Sequence, residues 1–279
     1  MDKHQQDNYK TPDGFGNIRG DKHLGPEFAM PIYGFEPKHF RGLKQMKKLE
    51  TAILFTSNET YPKVPYETLM SYLGTIIPSK TSLFHVPAKT SSASKNTGIK
   101  RLITLALDKP NLAGAFIINP SVMHVRSRAV FYKLLAWNVD VMAVPAYLLL
   151  PRQYNNESVG QMDAYKRNSE NVLMPLSARE YLLRQHQRPI VVDVAAPNFM
   201  WISGNVLRKL KGYQNKNLFR VTDDCMDENV SFCRAITEEA DASILLEPTL
   251  FGITQATINI GTETLKRDYF SALSQGSDE

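Results

Sequence analysis

Residues 111–151, NLAGAFIINPSVMHVRSRAVFYKLLAWNVDVMAVPAYLLLP, constrain this chain more than any other stretch. Ala113–Ile118 is a short, nearly unbroken apolar run, the pattern of a strand buried on both faces in a helix-covered parallel sheet. Asn119-Pro120-Ser121 ends the run and offers Ser121 as a helix N-cap. Val122, Val125, Ala129, Tyr132 and Leu135 then recur three or four apart, along one face of a helix. Val139–Pro145 is the next apolar run. Strand, helix and strand in this order predict a crossover unit of an α/β sheet. Such sheets bind ligands beyond the carboxyl ends of their strands, so the turn after Ile118 is the first place to look for a site.

The same rhythm extends to both sides. Upstream, Phe28–Tyr33 is a weak strand, and Pro37 precedes a basic helix whose charges (Lys38, Arg41, Lys44, Lys47 and Lys48) read as a solvated face. Thr51–Thr56 is a strand closed by Ser57-Asn58. Tyr66, Leu69, Met70 and Leu73 mark a helix, Ser82–Val86 a strand, Ala88–Asn96 a loop, and Ile99, Leu102, Ile103 and Ala106 the next helix face. Downstream, 151–175 is polar and without period, and reads as a long loop. A helix follows with Ser177 as its cap and Glu180 at capping-box spacing. Ile190–Ala195 is a strand. Ile202, Val206, Leu207 and Leu210 mark a short helix ending at Gly212. Leu218–Val221 reads as a strand, Val230–Ala240 as a helix, Ser243–Leu246 as an apolar run, Ile253–Ile260 as strand-like, and Thr262–Leu273 as a closing helix. The expected class is therefore α/β, a parallel sheet flanked by helices. The expected organisation is a flexible arm over 1–25, a domain over 26–210 containing the 151–175 loop, and a C-terminal α/β extension over 211–279 packed on it.

Composition narrows the function classes. Of 279 residues 43% are hydrophobic, enough for an ordinary core. The net charge of +5, from 33 basic and 28 acidic residues, reads as a soluble surface and not as a nucleic-acid face. Cys225 and Cys233 stand eight apart without a CxxC or a neighbouring histidine, which fits a reduced compartment better than a disulfide or a metal site. The polar first 25 residues lack the apolar core of a signal peptide, and no run reaches the roughly 18 apolar residues of a membrane span. A cytoplasmic protein with no membrane span of its own is expected. There is no GxGxxG, Walker, GxSxG or HExxH sequence.

Three segments in order resemble the YdcF-like family of α/β proteins, which includes SanA and ElyC. They are SASKNTGIKRLITLAL at 92–107, INPSVMHVRSRAVF at 118–131 and VDVMAVPA at 139–146, with AILFTSN at 52–58 and RPIVVDVAAPNFMWISGNVLRKL at 188–210 as weaker matches. The resemblance implies a Rossmann-like sheet with a site at its strand ends, and a nucleotide-like ligand such as S-adenosylmethionine. It would place that ligand at Ser57, Asn58, Asn96, Thr97 and Arg126, with Met123 and Arg126 at the positions of the family's His-or-Met and Arg. The chain departs from the pattern in two places. Thr56-Ser57-Asn58 replaces a Ser-Gly-Gly turn, and Ile99-Lys100 replaces Glu-Asn. Glycines let a backbone approach a ligand closely, which Ser and Asn do poorly.

Each candidate also has a plainer role. Arg126 either binds an anion or pairs with a surface carboxylate, and Asn96 either touches a ligand or caps its helix, the cap being preferred. His124 and Glu67 read as solvated residues. Asp193, inside an apolar strand, is either a strand-end site residue or an outward-facing edge residue. The carboxylates at 223–228 lack EF-hand spacing. Phe199, Met200 and Trp201 cannot share one face of a helix, so at least one is expected to reach a second layer or another chain. The eroded motifs point first to a non-catalytic subunit of a larger bacterial assembly, associated with the envelope or secretion. In that reading it has protein partners, no nucleic acid and no bound cofactor, and partners recruit it to the inner membrane. The alternative is a binder or transferase of S-adenosylmethionine or a nucleotide-like molecule.

Overall fold

The computed structural model describes residues 41–58, 80–119, 123–124, 130–151, 158–177, 181, 189–221, 228–247, 250, 252–255 and 259–260. Its strands in chain order are β1 (Glu50–Asn58), β2 (Lys80–Ala88), β3 (Leu112–Ile118), β4 (Met123–His124), β5 (Val141–Ala143), β6 (Tyr147–Pro151), β7 (Ser158–Met162), β8 (Ala164–Arg167), β9 (Leu173–Pro175), β10 (Ile190–Val192), β11 (Val194–Ala195), β12 (Phe199–Ser203), β13 (Ile244–Leu246), β14 (Ile253–Gln255) and β15 (Asn259–Ile260). The apolar runs assemble into a seven-stranded sheet of order β10-β13-β5-β12-β3-β1-β2. Strands β2, β1, β3, β5 and β13 run one way, and β12 and β10 run the other. Helices cover both faces, so the chain is an α/β protein with Rossmann-like layering. Ile244–Leu246, from beyond residue 210, is an inner strand of this same sheet.

Successive strand residues point to opposite faces, and along the inner strands β1, β3, β5 and β12 both faces are dry. Ala52, Leu54, Ala115 and Ile117 pack with Ile99, Leu102, Val206 and Phe232, from the helices Ser91–Asp108, Gly204–Lys209 and Glu228–Arg234. Ile53, Phe55, Phe116 and Ile118 pack with Met46, Phe131 and Leu135, from the helices Leu43–Met46 and Val130–Ala136. This is why β3 reads as a nearly continuous apolar run and not as an alternating one.

Several elements differ from the sequence reading. The Phe199-Met200-Trp201 triplet is strand, not helix. Phe199 and Trp201 enter one core and Met200 and Ile202 the other, so this chain's own layers cover all of them. Trp201 is 1% exposed, packs with its ring tilted 49° against Phe116 at a centroid distance of 4.8 Å, and donates from Nε1 to Val139 O at 3.1 Å. The helix read from Ile202, Val206 and Leu210 starts two residues later, at Gly204, because Ser203 is its N-cap, its Oγ accepting from Val206 N. The expected loop over 151–175 holds strands instead: β6 pairs with β7, and β8 with β9 and β11. Small sheets with a wetted face carry polar residues, which hides their period.

The helix expected from Ile99 starts earlier, at Ser91, with Thr90 Oγ1 accepting from Ala93 N. Leu218–Val221 is not a strand. Asp193 separates β10 from β11; its N–H donates to Tyr165 O, and its Oδ2 accepts from Arg167 N at 2.8 Å. The readings of 1–25, Phe28–Tyr33, the 66–73 helix and the 262–273 helix lie outside the described residues.

Two substitutions test this packing. A Cβ at Gly114 would lie 2.3 Å from Ile202 O on the neighbouring strand, a backbone atom that cannot swing away. Gly114→Ala is expected to lower stability by about 1–3 kcal/mol, and Trp201→Ala by about 3–5 kcal/mol, both read from urea unfolding midpoints. A neutral Trp201→Ala would remove Trp201 from the core.

Candidate functional site

Strands β1, β2, β3, β5 and β13 end at one edge of the sheet, where ligands of open α/β sheets bind. Because β12 runs the other way, its entry residue Asn198 arrives at that same edge, between the ends of β3 and β5. Asn198 O accepts from Asn119 N at 2.7 Å, and Asn119 Nδ2 donates to Ser91 Oγ at 3.0 Å in the first turn of the Ser91–Asp108 helix. Asp163 completes the group from the turn between β7 and β8. Its N–H donates to Ala146 O and its carbonyl accepts from Ala196 N, each at 3.0 Å. Its Oδ1 accepts from Ala146 N at 2.7 Å, and its Oδ2 accepts from Asn198 Nδ2 at 3.4 Å.

Asn119, Asp163, Lys95 and Asn198 are 1%, 3%, 4% and 5% exposed. Burial pushes the Asp163 carboxyl up to about 7, held in part by its hydrogen bonds to Ala146 and Asn198 and by the charge of Lys95. The Lys95 ammonium lies 6.0 Å from the centre of the Phe219 ring. A buried carboxyl balanced near neutral pH is the kind of group that exchanges protons at a site.

The residues expected from sequence are placed differently. Ser57, 3% exposed, lies at the carboxyl end of β1, where its N–H donates to Ser94 Oγ at 3.1 Å and its Oγ lies 2.9 Å from His85 Nε2. Ser94 Oγ in turn donates to Val86 O. Asn58 is the last residue of β1, opposite Ala88. Asn96 neither caps its helix, since Thr90 does, nor turns to the edge: its Oδ1 accepts from Leu218 N at 3.0 Å and ties that loop down. Thr97 is exposed and lines an open groove of about 490 Å³ with Phe84, Lys100, Arg101, Thr104 and Asp108. Arg126 and Glu67 lie outside the described residues, and His124 sits in β4 opposite Ile253. Ser57 and Asn58 thus reach the edge, whereas Asn96 and Thr97 serve other surfaces.

Sequence reasoning missed Asp163, Lys95, Asn119 and Asn198. Asp163 lay in the polar stretch taken for a loop and Lys95 in a Ser/Thr/Lys run; only Asn119, ending a strand, carried a signal.

A second buried carboxylate braces the same edge. Glu247, 0% exposed, follows β13, donates from its N–H to Ala143 O, and accepts from Trp137 Nε1 at 3.2 Å and from Leu250 N. Tyr181 donates to Leu250 O at 3.0 Å, and burial together with the Glu247 charge holds its hydroxyl pKa well above the usual tyrosine value. Tyr181 therefore stays protonated and remains a donor. Among the described residues no group of three or more His, Cys, Asp or Glu could hold a metal. Cys233 is buried, its Sγ donating to Ala195 O at 3.4 Å, while Cys225 lies outside the described residues. No described helix is long and apolar enough to cross a membrane.

No family model matches the chain. No curated protein matches it either. Of solved structures, 22 chains match. One is the crystal structure of A197 from STIV, 11% identical with a TM-score of 0.46, the alignment covering 77% of this chain and 92% of that one.

The Asp163 carboxyl gives a signed pH dependence. Its folded pKa, about 7, lies above the roughly 3.9 of a free aspartate. Between those values the folded state keeps a proton that the unfolded state has lost. Asp163 therefore contributes stability that is complete at about pH 4, falls as pH rises to about 7 and is level above that. Subtracting the urea-unfolding curve of Asp163→Asn from that of the wild type should show a decline on the order of a few kcal/mol across this window. A flat difference would place Asp163 in the ordinary carboxylate range.

Proposed function

We propose that this chain binds an anionic, nucleotide-like small molecule at the carboxyl edge of its sheet, as a ligand-binding protein or transferase. One observation supports the reading above the others: Asp163, Asn119 and Asn198, none more than 5% exposed, meet between the ends of β3 and β5, and the charge of the buried Lys95 acts on Asp163. Withdrawing an ammonium and a carboxylate from water costs several kcal/mol, a cost that apolar side chains would avoid. Keeping them at the strand ends, with a helix N-terminus alongside, is consistent with a ligand that uses them. The resemblance to the YdcF-like family adds S-adenosylmethionine to the nucleotides worth testing.

The second reading keeps the chain as a non-catalytic, degenerate YdcF-like subunit of a larger assembly. Two observations favour it. Asn96 is committed to the Leu218 loop and Ser57 to Ser94 and His85. Val172 and Met174, each 50% exposed, sit on the β8–β9 hairpin. Partners docking on that hairpin would bury them.

A thermal-shift panel of S-adenosylmethionine and nucleoside di- and triphosphates tests the first reading. A true ligand at 100 times its dissociation constant stabilises the protein by roughly 2.7 kcal/mol, a shift expected to disappear in Lys95→Gln. A panel without any saturable shift, combined with partners that co-purify with the wild type and are lost from Met174→Lys, would replace the first reading by the second.

A further inference from the structure

We infer that β2 is a docking edge for a partner protein, which adds an extended acidic segment as a further strand and lays its carboxylates along the helix Ser91–Asp108. The inference goes beyond the strand-end site and does not depend on a ligand there.

The edge is built to accept a strand. β2 ends the seven-stranded sheet on one side, so among the described residues no strand lies beyond it. Exposed edges are ordinarily blunted by shortness, bulges, Lys or Pro. β2 has nine residues and pairs with β1 without a register shift. Its Lys80 and Pro87 stand toward the two ends, and Thr81–Val86 between them contains neither residue type. Such an edge takes another strand through main-chain hydrogen bonds, and the neighbouring side chains choose which strand.

The two faces of β2 set what that strand carries. Neighbours in a parallel pair share a face. Phe84, opposite Leu54, therefore lies on the side of the helix Ser91–Asp108, and Leu83, opposite Ile53, on the other side. On the helix side an open groove of about 490 Å³ is lined by Phe84 and Leu105, with Lys100 and Arg101 in its wall. Phe84 and Leu105 are partly buried and supply an apolar floor. Neither Lys100 nor Arg101 forms an ion pair with a described carboxylate. Asp108 lines the same groove and offsets one of the two cations, which leaves the groove positive. On the other face Leu83 is 47% exposed. An added strand that satisfies both faces alternates with the pleat. Its Glu or Asp residues turn toward Lys100 and Arg101 with their stems on Phe84, and its intervening apolar residues cover Leu83. A nucleic acid would match the charge but would leave Leu83 and the backbone of β2 in water, so the occupant is a protein segment.

Panning a phage-displayed library of random dodecapeptides against the full chain tests this. The enriched peptides are expected to alternate Asp or Glu with apolar residues. Their affinity should fall about tenfold in Lys100→Glu/Arg101→Glu, because each reversal removes an attraction and adds a repulsion, and should rise a few-fold in Asp108→Asn. Arg101 and Asp108 are exposed and Lys100 is half-buried. If the double reversal fails to fold, the single variants Lys100→Gln and Arg101→Gln replace it, each with a loss of a few-fold. N-methylating alternate amides of the best peptide removes its ladder donors and keeps its charges, and is expected to abolish binding. Binding that survives N-methylation, selection of basic or charge-indifferent peptides, or no enrichment at all overturns the inference. So does a single-stranded oligonucleotide that occupies the groove more tightly than the selected peptides, or self-association that the peptides compete away, which would make the occupant a second copy of this chain.

Discussion

The seating of β12 between β3 and β5 is the contact on which the rest of this molecule depends. Those two strands run parallel but do not touch. Phe199–Ser203, running the other way, fills the gap and bonds to both. The strand is apolar on both faces, so it joins the two cores as well as the two halves of the sheet. Its reversed direction brings its first residues to the edge where its neighbours finish. Asn198 can therefore meet Asn119 and Asp163 there, in an arrangement that an all-parallel sheet would not allow.

Around that edge the protein keeps polar side chains away from water at several points. Glu247 spends both carboxylate oxygens on Trp137 and Leu250 and fixes the loop that follows β13. Gly252 N donates to Pro145 O, and the Ala146–Gly252 bridge continues that fixation toward Asp163. A buried carboxylate whose two oxygens accept from an indole N–H and a backbone N–H is a structural brace. Asp163 differs, since one oxygen has only a 3.4 Å partner and burial raises its carboxyl to about 7. The contrast between these two acids separates scaffold from candidate chemistry on physical grounds.

The resemblance to YdcF-like proteins directed attention to the ends of the first strands, and Ser57 does lie there. The polar cluster sits farther along the sheet, beside β12. Asn96, which the resemblance would assign to a ligand, is held by a loop from after the Gly204–Lys209 helix. The tertiary structure redirected that side chain, because a carboxamide within a helix bonds whatever backbone packs over it. A ligand reading and a scaffold reading of the same residue are indistinguishable until that loop is placed.

Much of the α/β layout was legible in the sequence. Thr51–Thr56, Ser82–Val86 and Ala113–Ile118 read as strands from their apolar runs, and strands they are. The stripe of Ile99, Leu102, Ile103 and Ala106 could only be a helix face. These elements follow from local periodicity, which the chain carries by itself. The direction and place of β12 did not, since Phe-Met-Trp-Ile-Ser running into a helical spacing has two local readings, and only burial between β3 and β5 selects the strand. Nor did the paired strands within 158–175, of which β8 and β9 leave most of their residues at least partly exposed. The cluster of Asn119, Asp163 and Asn198 was the least legible of all. Its members come from three separate segments, and nothing in sequence spacing records a contact made across a sheet edge. Sequence determined which segments become strands and helices; only the tertiary structure decided which polar side chains meet, because that depends on strand order and direction.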